Sequence, residues 1–318
     1  MGKISLLHIS DLHIAKTPNL TDLFQRTRQS PFSSVADVLW HHRLCASYGE
    51  KQLEALIKLI TDEQHRLEAI AITGDIATTG FSFDLHPALE VVNGFDNIVP
   101  VFLLPGNHDR YKALLSRSSG KPRGLAPGGT KFYDYFHSYW NNDVEIKILE
   151  TYDFALGIIA ADFNLRDIWD ADFSKSVFGS IAQGKVYDDI LDRLVYSTEQ
   201  FFRRFSNEKT AAVVWAIHFP ALAPRRISPD SELIGSEKLI ERAAENGVIA
   251  ILSGHVHYGF PPLMDQNIAF LGAGTTTQFG SDNHCQIISF ENIDEDVLIA
   301  KEDYGFNPKL TKFVRIKL

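Results

Sequence analysis

At five places in this 318-residue chain a short apolar run stops abruptly on residues whose side chains offer oxygen or nitrogen. Residues 4–9 lead to Asp11 and His13, residues 69–72 to Gly74-Asp75, and residues 99–103 to Gly106-Asn107-His108-Asp109. The run 211–217 delivers His218, and 248–252 leads into Ser253-Gly254-His255-Val256-His257. Apolar runs of this length, bounded by glycine and polar residues, read as buried strands. In open α/β sheets the strand ends gather sequence-distant residues around one crevice. Packing accounts easily for one such histidine, and poorly for five coincident strand ends.

Between these runs, residues 50–66, 83–92, 188–205 and 239–246 read as helices, the third carrying Leu191, Leu194, Phe201 and Phe205 on one stripe. Gly247 supplies a stop before the next run. Strand-like segments at 145–149 and 154–159 and short ones at 268–271, 286–290 and 297–299 extend the sheet, and 309–318 predicts an edge strand or a contact between copies. This alternation predicts an α/β fold in one domain over residues 1–318. Two stretches, 16–48 and 112–139, resist compact assignment, the second being rich in Gly and Pro turn material, and are expected to be surface or substrate-capping excursions.

Composition narrows the chemistry. Two cysteines, Cys45 and Cys285, exclude a disulfide-dense fold and a four-thiolate zinc site, whereas twelve histidines leave nitrogen and oxygen ligation open. Lys plus Arg at 31 against Asp plus Glu at 40 give a net charge of −9, which offers no general attraction to nucleic acid or an anionic membrane. The opening Met1–Leu6 lacks the features of a secretory signal, and no stretch approaches the roughly 20 apolar residues of a membrane span. A soluble, cytoplasmic protein with no membrane partner is the expectation.

Asp11 and His13 stand two residues apart, so a strand continuing through them would turn both side chains to one face. Gly74 and Gly106 allow close turns around a ligand. A carboxylate and an imidazole on one face could share a metal ion.

In order along the chain, Asp11-x-His13, Gly74-Asp75, Gly106-Asn107-His108-Asp109, His218 and Gly254-His255-x-His257 resemble the motif set of the calcineurin-like metallophosphoesterase superfamily. The resemblance runs from residue 4 to residue 257. It implies an αββα sandwich with mixed central sheets and a hydrolase holding two metal ions and no organic cofactor. By this resemblance Asp11, His13, Asp75 and His257 surround one ion, while Asp75, Asn107, His218 and His255 surround the other, oxygen and nitrogen shells without thiolate that suit Mn or Fe, and also Zn. Hydroxide held between the ions would attack phosphorus. His108 would protonate the leaving oxygen, and Asp109 would orient His108 or raise its basicity.

The substrate expected first is a cyclic nucleotide or another small phosphodiester, as in the bacterial cyclic-nucleotide phosphodiesterase branch. A DNA exonuclease or endonuclease comes second, because the acidic chain shows no strong basic run. A protein or metabolite phosphomonoesterase and a noncatalytic phosphate-binding protein follow. His8, inside the first run, reads as a buried packing or supporting histidine; His41 and His42 lack a ligand framework, His137 and His284 lack a diagnostic setting, and both cysteines read as packing residues.

Overall fold

The computed structural model describes residues 2–15, 48–111, 113–115, 124–172, 182–205, 207–222, 233–278, 282–294 and 296–318. Two six-stranded mixed sheets form its centre. In the first, β1 (Lys3–Ile9), β2 (Ala69–Thr73) and β3 (Val101–Leu104) run parallel. To β1 are added, antiparallel in turn, β14 (His284–Ile293), β15 (Asp296–Asn307) and β16 (Lys312–Ile316), giving the order β16-β15-β14-β1-β2-β3. The second sheet has a parallel centre of β7 (Phe154–Ala161), β9 (Thr210–Ala216), β11 (Val248–Ser253) and β13 (Ile268–Gly272). Its antiparallel edges are β6 (Val144–Glu150) and β12 (Leu263–Asp265). Two short ribbons pair β4 (Ala113–Leu115) with β5 (Gly124–Ala126), and β8 (Gly184–Lys185) with β10 (Leu233–Ile234).

Among the described residues five α-helices cover the sheets: α1 (Glu50–Glu63, extended by a 3₁₀ turn at Gln64–Arg66), α2 (Ser82–Asp96), α3 (Lys131–Tyr135), α4 (Asp188–Phe205) and α5 (Ser236–Glu245). The period of two along a strand distributes the layers. Phe154, Leu156, Ile158 and Ala160 of β7, with Ala212, Val214 and Ala216 of β9, pack into the core shared with the first sheet. The alternate residues Ala155, Ile159, Val213 and Trp215 face Leu191, Leu194 and Phe201 of α4 and Leu239 of α5. Each such large side chain contributes about 1.5–3 kcal/mol by leaving water. The buried Trp215 indole donates its Nε1–H to Thr198 Oγ1 at 2.9 Å, so its polar atom is not stranded. The helix α4 also carries Asp188 and Asp189 in its first turn and Arg203 and Arg204 in its last, charges that match the helix dipole.

The α/β layering is the one the strand and helix pattern predicts, and the αββα sandwich with mixed sheets is the one the family resemblance implies. Gly247 adopts φ +68° after α5, and β16 forms an edge of the first sheet. Cys285 and His8 are buried. Two regions differ from expectation. β14 and β15 are 10 and 12 residues long, and only the apolar start of β15, 297–299, stands out in the sequence, its burial alternating there before polar residues follow. The stretch 112–139 is not wholly a surface excursion, since Phe132 and Phe136 are fully buried in the first core with Trp140. The stretch 16–48 lies outside the described residues apart from Tyr48, which bridges to Gln278, and Cys45, His41 and His42 fall within it. Among the described residues no helix is long and apolar enough to cross a membrane.

Candidate metal centre

The segments leaving β1, β2, β9 and β11 bring their polar residues together. Asp11, His13, Asp75 and His257 place ligand atoms within 4.8 Å of one another, and so do Asp75, His218 and His255. Asn107 Oδ1, arriving from the turn after β3, lies 3.1 Å from His218 Nε2. All seven residues expected as ligands therefore converge, with Asp75 common to both groups.

The convergence does not arise as the spacing of Asp11 and His13 suggested. Strand β1 stops at Ile9, and both residues adopt left-handed backbone, φ 53° and 45°. Asp75, His255 and His257 do the same, at φ 52°, 70° and 59°. Non-glycine residues rarely occupy this region, and they concentrate where function requires it. Here each left-handed residue turns its side chain out of the sheet direction into a common space. Gly74, at φ +96°, makes the turn before Asp75. At Gly106 a Cβ would strike the Asp75 carboxylate and backbone N, so only glycine lets the third loop approach the shared ligand.

Charge and hydrogen bonding test whether metal ions fit. Asp11 Oδ1, Asp75 Oδ2 and His255 Nε2 are buried with no hydrogen-bond partner, an arrangement that proteins avoid unless a cation or water completes it. His257 Nε2 stands 3.2 Å from Asp11 Oδ1, and His218 Nε2 stands 3.4 Å from Asp75 Oδ2. Imidazole nitrogens also face each other, His13 Nε2 with His257 Nε2 at 3.2 Å and His218 Nε2 with His255 Nδ1 at 3.2 Å. Two donors on one ion at about 2.0–2.2 Å are held some 3.0–3.5 Å apart, so these separations suit shared coordination.

Burial alone would raise the Asp75 carboxyl, but His218 and His108 hold it well below the usual carboxylate range. Burial is likewise overcome at Asp11, chiefly by His257. Burial and neighbouring imidazoles lower His13 and His255 to about 3. Against its burial, Asp75 raises His218 to about 9. Two ionised carboxylates thus draw positive charge into a buried space, which is what a cation site requires.

Imidazole orientation is set from behind. His218 donates Nδ1–H to the Thr73 carbonyl at 2.7 Å, and His257 Nδ1 lies 2.9 Å from Gln278 Oε1. Both contacts leave Nε2 directed into the centre. Neither Thr73 nor Gln278 is singled out by the sequence, because one acts through its backbone and the other sits in a loop without an apolar run.

His108 borders the same space, its ring edge-on to His13 with centroids 4.6 Å apart. It is anchored by Nδ1–H donation to the Thr78 carbonyl at 2.8 Å, not by Asp109. The expectation that Asp109 orients His108 is therefore corrected. Its carboxylate instead accepts the backbone N–H groups of Ile76 (3.1 Å), Ala77 (2.8 Å) and Gly106 (2.9 Å), tying two ligand loops together. Burial and the nearby Asp75 charge push the Asp109 carboxyl up to about 7, against those three donors.

The sequence matches the model of the calcineurin-like phosphoesterase family over residues 4–259. No curated protein matches it. Among solved structures it is similar to a dimetal phosphatase from Danio rerio, at 13% identity over 95% of each chain with a TM-score of 0.56. It is also similar to a purple acid phosphatase from seeds of yellow lupin, Lupinus luteus, at 11% identity and a TM-score of 0.57, over 94% of this chain and 51% of that one. A third is GAP50, the anchor in the inner membrane complex of Plasmodium, at 12% identity over 99% and 88% of the chains with a TM-score of 0.51. At such identities these likenesses speak to the fold. The family match over most of the chain, on a sandwich whose strand ends carry the clustered carboxylates and imidazoles, shows that the protein belongs to the calcineurin-like phosphoesterases and is a metal-dependent phosphoesterase.

Proposed function

We propose that the protein hydrolyses a small phosphodiester, with a cyclic nucleotide as the leading substrate and His108 as the proton donor. The observation that carries this reading is the pairing of a cation-demanding cluster, with its unpartnered Asp11 Oδ1 and Asp75 Oδ2, and a bordering imidazole fixed by its Nδ1. When bound, two metal ions supply Lewis acidity toward the phosphoryl oxygens and an acidified water. Asp11, His13, Asp75 and His257 would hold one, and Asp75, Asn107, His218 and His255 the other. Mn or Fe fits this oxygen and nitrogen set, and Zn does too. The dimetal phosphatase of similar fold supports a two-ion centre.

The seven side chains bring only two formal negative charges, those of Asp11 and Asp75. Such a shell leaves two divalent ions unneutralised and attractive to an anionic ester. His108, with Nδ1–H committed to the Thr78 carbonyl, has Nε2 left to give a proton to the departing alkoxide. Asp109 holds the Gly74–Ala77 and Gly106–Asp109 loops in register, which makes it a positioning residue. The net charge of −9 favours a small ester over a nucleic-acid polymer, so a nuclease ranks second and a phosphomonoesterase third.

Product identification after controlled loading with Mn²⁺, Fe²⁺ or Zn²⁺ tests the proposal. Cyclic nucleotides, a generic phosphodiester, a phosphomonoester and single-stranded DNA are offered in parallel. Release of a linear nucleotide from the cyclic ester is expected, and hydrolysis confined to the monoester would defeat the diesterase reading.

A further inference from the structure

Four threonines grip the backbone that carries Asp11 and His13. The carbonyls of Ser10, Asp11, Leu12 and His13 accept, in that order, the hydroxyls of Thr276 (3.0 Å), Thr275 (2.7 Å), Thr277 and Thr78 (2.7 Å). The N–H groups of the same stretch go elsewhere: Asp11 to the Gly74 carbonyl at 3.0 Å, His13 to Asp75 at 2.9 Å and Ile14 to Ile76 at 2.8 Å. All four threonines are at most 1% exposed. Thr275, Thr276 and Thr277 lie between β13 and β14, whereas Thr78 follows β2, so the loop is clasped from two separate parts of the chain.

The arrangement has a physical reason. A continuing strand would satisfy these carbonyls with backbone N–H groups of a neighbouring strand. Left-handed turns at Asp11 and His13 take the chain out of ladder geometry; the Ser10 carbonyl still receives the Thr276 N–H at 3.2 Å, but the three buried carbonyls that follow would be strongly destabilising without donors. A hydroxyl on a side chain reaches where a backbone N–H cannot, and the β-branch of threonine restricts its rotamers. Each hydroxyl is committed to a backbone carbonyl of the loop, and it acts on Asp11 and His13 through that carbonyl.

We infer that Thr78, Thr275, Thr276 and Thr277 are positioning residues whose hydroxyls fix the left-handed turns that aim Asp11 and His13 at their metal. The inference rests on the proposed assignment of Asp11, His13, Asp75 and His257 to one ion. Thr276 has a second acceptor, the His284 carbonyl at 3.4 Å, so Thr275 and Thr78 give the cleaner tests.

Thr275→Val and Thr78→Val each remove one hydroxyl at nearly constant volume, and Thr275→Ser and Thr78→Ser keep it. Mn²⁺ is titrated calorimetrically into the metal-free full-length proteins, with circular dichroism to establish folding and elemental analysis after gel filtration. Each valine variant is expected to lose about 10–100-fold in affinity at one of two Mn²⁺ sites, the usual effect of losing a partner behind the ligands. The other site should be unchanged, and the serine variants should bind as the wild type does. Folded valine variants with two wild-type affinities would overturn the inference, as would serine variants that lose as much as valine. Should Thr275→Val fail to fold, Thr78→Val, on the other arm of the clasp, decides. A wild-type protein that fails to take up two equivalents of Mn²⁺ would instead refute the ligand assignment beneath it.

Discussion

The two halves of the metal centre are built on different backbone. Asp11, His13 and His257 all stand in left-handed conformation, whereas of Asn107, His218 and His255 only His255 does. His218, two residues after β9, is 1% exposed, while the His257 side chain is 35% exposed. Each left-handed non-glycine residue costs roughly 1–2 kcal/mol. The first half therefore exists only because hydrogen bonds around it outweigh that cost. In the second, His218 needs no such turn, and the Thr73 carbonyl holds it from behind. The more strained, more open half and the less strained, more buried half should differ in how firmly they keep a metal, the open one releasing first.

Asp75 belongs to both halves, so replacing it should abolish the difference between them. Asp75→Asn is expected to lose both metal equivalents by elemental analysis. Activity should fall by more than the about 10–100-fold that loss of an outer partner causes. Retention of one tightly held equivalent would show that the buried half does not depend on the shared carboxylate. A smaller and separable effect is expected at His108, which touches His13 on the open half without being a ligand. His108→Asn should keep both equivalents and lower kcat by about 10²–10⁴-fold, the span of general acid catalysis. Near-wild-type kcat in the loaded variant would remove His108 from the acid role.

The difference between the halves also marks what the sequence could reveal. His218 was legible because the run 211–217 is uniformly apolar and ends on it, and the structure keeps that simple geometry in β9. Asp11 and His13 were legible as ligand types but not in their conformation, since nothing in Ser-Asp-Leu-His announces a left-handed turn. That turn is imposed by distant partners, Gly74, Asp75 and the threonines, which contact it only after folding. Asp109 was misread for a related reason. Adjacency to His108 in the chain suggested contact, yet its carboxylate points back to the N–H groups of Ile76 and Ala77. Phe132 and Phe136 were hidden by the turn-forming residues around them, although their burial places α3 against the core.

The smallest expected effect lies behind the open half. The loop after His257 rests on a buried group in which His284 Nε2–H donates to Asp303 Oδ1 at 2.9 Å and Lys301 Nζ reaches the same oxygen at 2.9 Å. Lys301 also donates to the Phe260 carbonyl at 3.1 Å, and the Gly274 N–H donates to His284 Nδ1 at 3.1 Å. Burial would raise the Asp303 carboxyl, but the hydrogen bonds from His284 and Lys301 hold it below the usual carboxylate value. A lowered carboxylate stabilises the fold fully above its unfolded value of about 3.9 and loses that contribution as pH falls through the lowered one. Asp303→Asn should therefore cost about 1–3 kcal/mol at neutral pH, the range for hydrogen bonds to charged groups. Urea unfolding across pH should show a constant gap to the wild type above about pH 4 that closes in acid. The same variant should release metal slightly faster from the open half and leave the buried half as it was. A gap that persists undiminished in strong acid would mean that packing, rather than the Asp303 charge, supports the His257 loop.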